Sequence, residues 1–224
     1  MKAIIPIGGG EIANKTTKKI DEYIISLANK DKAKVLFIPI ASGDSKPYID
    51  KFIEYYSSLN CIVDVLYLSK EQDDLTIQEK IFSSDIIYIG GGNTAKMIRI
   101  FKRTNVNKYL KLAYEKNIIL TGLSAGAMAY FKSGYSDSNR STNPNASLCL
   151  VKCLDLIPFC LCPHYNSDDR KSFDEWVKNK KYNGLALEDN CALLYVDDKV
   201  CGIIKSDENA KAYYINELEK KEII

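Results

Sequence analysis

Gly122-Leu123-Ser124-Ala125-Gly126 sets a serine between two glycines, after an apolar run and before a helix-like one. That is the pattern of a nucleophile elbow. A sharp strand-to-helix turn exposes the serine oxygen, and the glycines remove side chains that would clash there. Amides opening the next helix can stabilise negative charge, which makes the Ala125 N–H a natural oxyanion donor. The plainer reading is a tight turn in which Ser124 is merely small. Serine is a weak nucleophile without a base. The chain has 1 histidine, so His164 is the single imidazole available.

His164 sits in Cys162-Pro163-His164-Tyr165, just after an apolar run and before the polar stretch 166–169. A strand-end position suits a general base. A third group should then orient the imidazole. Two acids compete: Asp137, in the polar segment after the elbow helix, and Glu188, after the apolar run Gly184-Leu185-Ala186-Leu187. Composition does not rank them. Gly90-Gly91-Gly92-Asn93 is the other conspicuous feature. It lacks the Lys-Ser/Thr of a phosphate-binding P-loop and does not match a dinucleotide fingerprint. At a strand end beside the elbow strand, one of its amides could supply the second oxyanion N–H.

The elements around these residues alternate between strand and helix. Residues 2–6, 35–40, 61–68, 85–89 and 118–120 read as strands, several of them apolar on both faces. Helical spacing appears between them, as at Ile20, Tyr23, Ile24 and Leu27, and at Met97, Ile98 and Phe101. Such alternation predicts a three-layer α/β sandwich with a mostly parallel sheet, in one domain over 1–224. Sheets of this kind place chemistry at the carboxyl ends of strands. Three glycine-rich turns fall at such ends: after Ile7, after Ile89 and after Leu120. Residues 132–147 read as a polar loop. The last third carries short strand pieces, with Asp197-Asp198 as a hairpin turn.

Composition excludes other classes. The net charge is +2, from 31 basic and 29 acidic residues, without the concentrated basic excess of a nucleic-acid binder. No apolar run reaches the length of a membrane span, and the start is not a signal peptide. The expected location is cytoplasmic, with neither nucleic acid nor membrane as partner. Of the 7 cysteines, Cys61, Cys191 and Cys201 lie in apolar strand-like runs. Cys149, Cys153, Cys160 and Cys162 form a denser group before His164, but their spacing fits no standard zinc pattern, and no metal or cofactor is expected.

Taken together, Ile89-Gly90-Gly91-Gly92-Asn93-Thr94, Gly122-Leu123-Ser124-Ala125-Gly126-Ala127, Pro163-His164-Tyr165 and Gly184-Leu185-Ala186-Leu187-Glu188-Asp189 resemble the aspartyl dipeptidase (peptidase E) and cyanophycinase family of serine peptidases. Order and approximate spacing agree over roughly residues 1–200. The segment Gly134-Tyr135-Ser136-Asp137-Ser138 looks more like the family's less characterised bacterial branch. The resemblance implies a fold related to class I glutamine amidotransferases (flavodoxin-like), with serine where those enzymes carry cysteine. It also implies a dipeptidase acting on short peptides. Carried over by motif, Ser124 is the nucleophile, His164 the general base and acid, and Glu188 the orienting carboxylate. Asp137 is the rival, because an acid in the loop after the elbow has a catalytic role in the family. Gly92 and Ala125 would supply the oxyanion hole.

A preference for an N-terminal aspartate would require a cation in the pocket, for which Arg140 and Arg170 are the candidates. The stretch 165–169 is shorter than in the peptidase E signature, and Leu123 replaces an aromatic residue, so substrate contacts do not carry over. A homodimer is left open. Two rival readings remain at this level. One is an α/β-hydrolase-type esterase, whose acid would be Asp137 or Asp155. The other is a non-catalytic ligand-binding protein on the same fold.

Overall fold

The computed structural model describes residues 1–70 and 72–224. Five strands follow from the short apolar runs: β1 (Ala3–Ile7), β2 (Lys34–Ile38), β3 (Ile62–Val65), β4 (Ile86–Ile89) and β5 (Ile119–Leu123). Every residue of β1, β4 and β5 is buried, as a strand covered on both faces requires. These strands pair in parallel in the spatial order β1-β5-β4-β2-β3. Two antiparallel strands, β10 (Cys191–Val196) and β11 (Lys199–Lys205), extend the sheet beyond β1. They turn at Asp197-Asp198, as the sequence predicts.

Side-chain alternation along the strands builds two apolar layers. Ile4, Leu36, Ile38, Ile87, Ile89 and Leu120 face one way. They meet the apolar stripes of α3 (Asp74–Phe82), α4 (Thr94–Arg103) and α5 (Val106–Glu115). Ile5, Ile7, Phe37, Ile86 and Tyr88 face the other way, onto α1 (Lys18–Leu27) and α2 (Lys46–Ser58). Local chemistry sets the helix starts. Asn93 caps α4 by accepting from the Lys96 amide at 2.9 Å, and Asp73 caps α3 by accepting from Thr76 at 2.8 Å. The expected three-layer sandwich with its mostly parallel sheet is therefore present.

A second sheet goes beyond the expectation. It has six strands in the order β13-β12-β9-β8-β6-β7. They are β6 (Phe131–Ser136), β7 (Cys149–Lys152), β8 (Ile157–Cys162), β9 (Gly184–Leu187), β12 (Ala212–Ile215) and β13 (Lys220–Ile223). Residues 132–136 are thus strand, where polar composition suggests loop. Ser133, Gly134 and Ser136 hide a period-2 pattern, yet β6 is buried at every position except Lys132. Close approach explains Gly134, where any Cβ would come within 2.4 Å of the Met128 sulfur. The helix α7 (Ser172–Lys180) covers this sheet through Phe173 and Val177, against Tyr135, Cys160, Cys162 and Tyr165.

Registers bring the strand ends together. Ile7 pairs with Leu123, and Ile89 with Gly122, so Gly8, Ser124 and Gly90 emerge at one edge from three neighbouring strands. In the second sheet, β8 and β9 are parallel neighbours, with Cys162 opposite Ala186. Their ends deliver His164 and the Glu188-Asp189 pair to the same place. Among the described residues, no helix is long and apolar enough to cross a membrane.

Candidate active site

Ser124 occupies the turn between β5 and the short helix α6 (Ala125–Met128), with φ 55° and ψ −108°. A non-glycine residue rarely adopts this conformation, and such strain costs about 1–3 kcal/mol. Its surroundings hold it there. The Ser124 amide donates to the Ile7 carbonyl at 3.0 Å, and its own carbonyl accepts from Met128 at 3.0 Å. The flanking glycines let the elbow sink against β4. A Cβ on Gly126 would lie 2.0 Å from the Ile89 carbonyl oxygen, and one on Gly122 would lie 2.7 Å from the Gly126 backbone.

His164 is likewise in a left-handed conformation, φ 54°. Its amide donates to the Gly8 carbonyl at 3.1 Å, and the next amide, of Tyr165, donates to Leu187 at 3.0 Å. This backbone, pinned between the two sheets, aims the ring at the elbow. His164 Nε2 and Ser124 Oγ are 2.7 Å apart.

The acid on the other side of the ring is Asp189. Its Oδ1 lies 2.6 Å from His164 Nδ1. Asn166 fixes the carboxylate in two places: its Nδ2 donates to Asp189 Oδ2, and its Oδ1 accepts from the Asp189 amide, both at 3.0 Å. The hydrogen bond from His164 holds the Asp189 carboxyl below its ordinary range, against partial burial and with help from Asn166. An ionised carboxylate only accepts. Nδ1 therefore carries the ring proton, and Nε2 is left to accept from the Ser124 hydroxyl.

Neither acid expected from sequence reaches the imidazole. Glu188 accepts from the Lys211 amide at 2.9 Å, while its own amide donates to the Lys211 carbonyl at 3.0 Å. Along β9, Leu185 and Leu187 face the apolar layer between the sheets and Ala186 faces away. Continuing that alternation turns Glu188 away and Asp189 inward. Asp137 receives Arg170 Nη2 at 2.7 Å, and the same guanidinium donates to the Tyr135 carbonyl. Asp137 thus neutralises a buried arginine. Asp155 is exposed. The hydrogen-bonded acid therefore follows the histidine in the chain, unlike the Ser, acid, His order of an α/β-hydrolase.

The first glycine turn has a part that the sequence reading leaves open. A Cβ on Gly9 would lie 1.8 Å from Asp189 Oδ1 and 2.4 Å from His164 Nδ1. Only a glycine there leaves room for that hydrogen bond. In the second turn, the Cβ direction of Gly91 ends 3.7 Å from the Ser124 Cβ. The Gly91 amide donates to the Tyr48 hydroxyl at 3.3 Å. Gly92 has φ +138°, and its Cβ position is filled by the Ala41 backbone at 2.3 Å. Among the described residues its amide has no acceptor. Ala125 opens α6, so its amide is not engaged within that helix.

The cysteines stand apart from this chemistry. Burial pushes the thiols of Cys153 and Cys160 up to about 12 and raises that of Cys162 as well, so all three stay protonated and inert. Cys201 lies on β11 and is exposed. Among the described residues, no three His, Cys, Asp or Glu side chains are grouped to hold a metal.

The model of peptidase family S51 matches residues 4–203. The chain belongs to peptidase family S51. A relative, the uncharacterized peptidase YgaJ of Bacillus subtilis, is 32% identical over 219 residues, covering 96% of this chain and 92% of its own. The peptidase E of Streptomyces coelicolor is 27% identical over 161 residues, 70% of this chain and 62% of that one. Two solved structures share the fold. One is a Listeria monocytogenes protein assigned as a peptidase E, at TM-score 0.65 and 20% identity, covering 99% and 98% of the two chains. The other is a peptidase from an acI-B1 Actinobacterium, at TM-score 0.71 and 16% identity, covering 99% and 93%. The S51 assignment supports a peptidase on a class I glutamine amidotransferase-like fold.

Proposed function

We propose that this S51 peptidase is a serine-type exopeptidase that hydrolyses short peptides through Ser124, His164 and Asp189. The observation that carries the reading is the unbroken chain from Ser124 Oγ to His164 Nε2 (2.7 Å) and from His164 Nδ1 to Asp189 Oδ1 (2.6 Å). Ser124 attacks the scissile carbonyl while His164 takes its proton, and Asp189 stabilises the imidazolium. The oxyanion develops toward the unengaged amides of Gly92 and Ala125. His164 then protonates the leaving amine, and a water molecule repeats the cycle on the acyl-enzyme. Asp189 replaces Glu188 and Asp137 as the orienting acid because it alone of the three contacts the ring.

The test is a dipeptide library screen with the Ser124→Ala protein as control, alongside labelling with a fluorophosphonate probe. Ser124→Ala and His164→Ala should each lower turnover by ~10³-fold or more, and Ser124→Ala should abolish labelling. Undiminished turnover in either variant refutes the mechanism.

A further inference from the structure

A cleft of about 480 Å³ opens beside the nucleophile, lined in part by Leu123 and Gly91, which flank Ser124. Its other walls come from the turn after β1 and the start of α2. They include Ile12, Pro47 and Tyr48, with Glu11 and Lys51 as the charged members. This turn continues directly from Gly9, which lies beneath the His164–Asp189 pair. The turn is fixed: the Glu11 amide donates to Thr16 Oγ1 at 2.9 Å, and the Glu11 carbonyl accepts from Asn14.

Its charges are unequal. Lys51 pairs with Glu54 at 2.9 Å on its own helix. Glu11 makes no ion pair among the described residues. Glu11 lines the cleft together with Tyr48, whose hydroxyl receives the Gly91 amide. Glu11 thus brings to the cleft a carboxylate that makes no ion pair among the described residues and accepts from the Ala13 amide at 3.3 Å. The arginines that could have read an acidic substrate are engaged elsewhere. Arg170 is buried on Asp137, and Arg140 donates to Asp169 at 2.6 Å.

We propose that this cleft holds the residue on the acyl side of the scissile bond and selects a cationic nitrogen there through Glu11. The proposal rests on the peptidase reading of Ser124. Apolar walls ending in a carboxylate suit an alkyl chain that carries an ammonium or guanidinium group, which packs its methylenes and keeps its charged head on the acid. A free α-ammonium on the same residue would offer the same charge. An aspartate or glutamate would meet repulsion from Glu11 with no free arginine to offset it. The site would then favour substrates of the opposite charge to an N-terminal aspartate.

The experiment uses Lys-Ala, Leu-Ala and Asp-Ala, each with a free and an acetylated α-amine. Hydrolysis by the wild-type protein and by Glu11→Gln is compared. Binding to Ser124→Ala protein, with and without Glu11→Gln, is measured in parallel by calorimetry. The expected result is that Lys-Ala exceeds Asp-Ala by at least tenfold in kcat/KM and in affinity. Glu11→Gln should collapse that ratio mainly through KM. If the lysine side chain is the source, acetylation preserves the selectivity. If the α-ammonium is the source, acetylation removes binding of all three peptides and Glu11→Gln weakens all three free peptides alike. Equal or better use of Asp-Ala, or a Glu11→Gln protein that keeps both the ratio and the affinity for the free peptides, overturns the proposal. Absence of hydrolysis with selective binding intact would count against the peptidase reading and leave the cleft assignment standing.

Discussion

Asp189 Oδ1 stands 2.6 Å from His164 Nδ1, while Glu188, one residue earlier, turns to the amide of Lys211. The two acids should therefore separate cleanly on mutation. Asp189→Asn keeps the shape but offers the ring an amide, which permits the wrong tautomer. Loss of an orienting acid in this way costs ~10⁴-fold in kcat in the Ser-His-Asp template. A fall of ~10³–10⁴-fold is expected here. Glu188→Gln should stay within a few-fold of wild type, because its carboxylate serves only a backbone amide. Steady-state kinetics on one dipeptide decides between them, and the reverse ranking would restore Glu188 to the site.

Gly9→Ala tests the site from beneath. The added methyl group would sit 1.8 Å from Asp189 Oδ1 and inside the His164–Asp189 hydrogen bond. Gly9 is not in the left-handed region, so the backbone itself tolerates alanine. The expected outcome is a protein that folds and loses at least ~100-fold in activity, because small displacements of catalytic groups are costly. Gly126→Ala should behave differently. Its methyl group would collide with the Ile89 backbone at 2.0 Å, and strain of that kind is expected to cost ~3 kcal/mol or more of stability. Circular dichroism and thermal melts, read beside activity, separate the two effects. A fully active Gly9→Ala protein would show that the histidine does not depend on Asp189.

Much of this arrangement was legible in the sequence. Apolar runs at 2–6, 85–89 and 118–120 mark the parallel strands, and the glycines after them mark the edge where Ser124 emerges. His164 followed from being the sole imidazole. The motif resemblance favours Glu188 with Asp137 as its rival, although the alternation Leu185, Leu187, Asp189 points the aspartate inward. A two-residue period carried past the strand end would have found it. The second sheet was harder to see, because β6 is built from Ser133, Gly134 and Ser136. These residues are buried by close packing against Met128 and Thr94 rather than by apolar character. Asp137 could not be resolved from sequence because its partner, Arg170, lies 33 residues away.

That pair yields a prediction of its own. Arg170 is 5% exposed, and Asp137 is its charged partner at 2.7 Å. Asp137→Asn leaves the buried guanidinium with the Tyr135 carbonyl and a distant Asp169. Breaking a fully buried pair costs about 3–5 kcal/mol. The Asp137 side chain is 42% exposed, so solvent screening reduces the expected loss to about 1–2 kcal/mol. Denaturant unfolding should register that loss, while kcat per folded molecule changes little. A variant that is stable but inactive would place Asp137 in the reaction after all.

Asp21 makes a pH-dependent prediction away from the site. It is fully buried on α1 and accepts from Tyr56 at 2.7 Å, Thr17 at 2.8 Å and Tyr55 at 3.0 Å. Burial pushes its carboxyl up to about 6, against those three hydroxyl donors. An unfolded aspartate titrates near 4. Between those values the folded chain holds a proton that the unfolded chain has released. The group's contribution to stability is therefore complete below about pH 4 and is lost as the pH rises through 6. Two pKa units at ~1.4 kcal/mol each set an upper bound of about 3 kcal/mol. Asp21→Asn cannot ionise and should lack this slope. The stability difference between variant and wild type should move in the variant's favour by about 2 kcal/mol from pH 4 to pH 7.5, read by urea unfolding at both values. A difference that does not change with pH would mean that Asp21 titrates alike in the folded and unfolded chains.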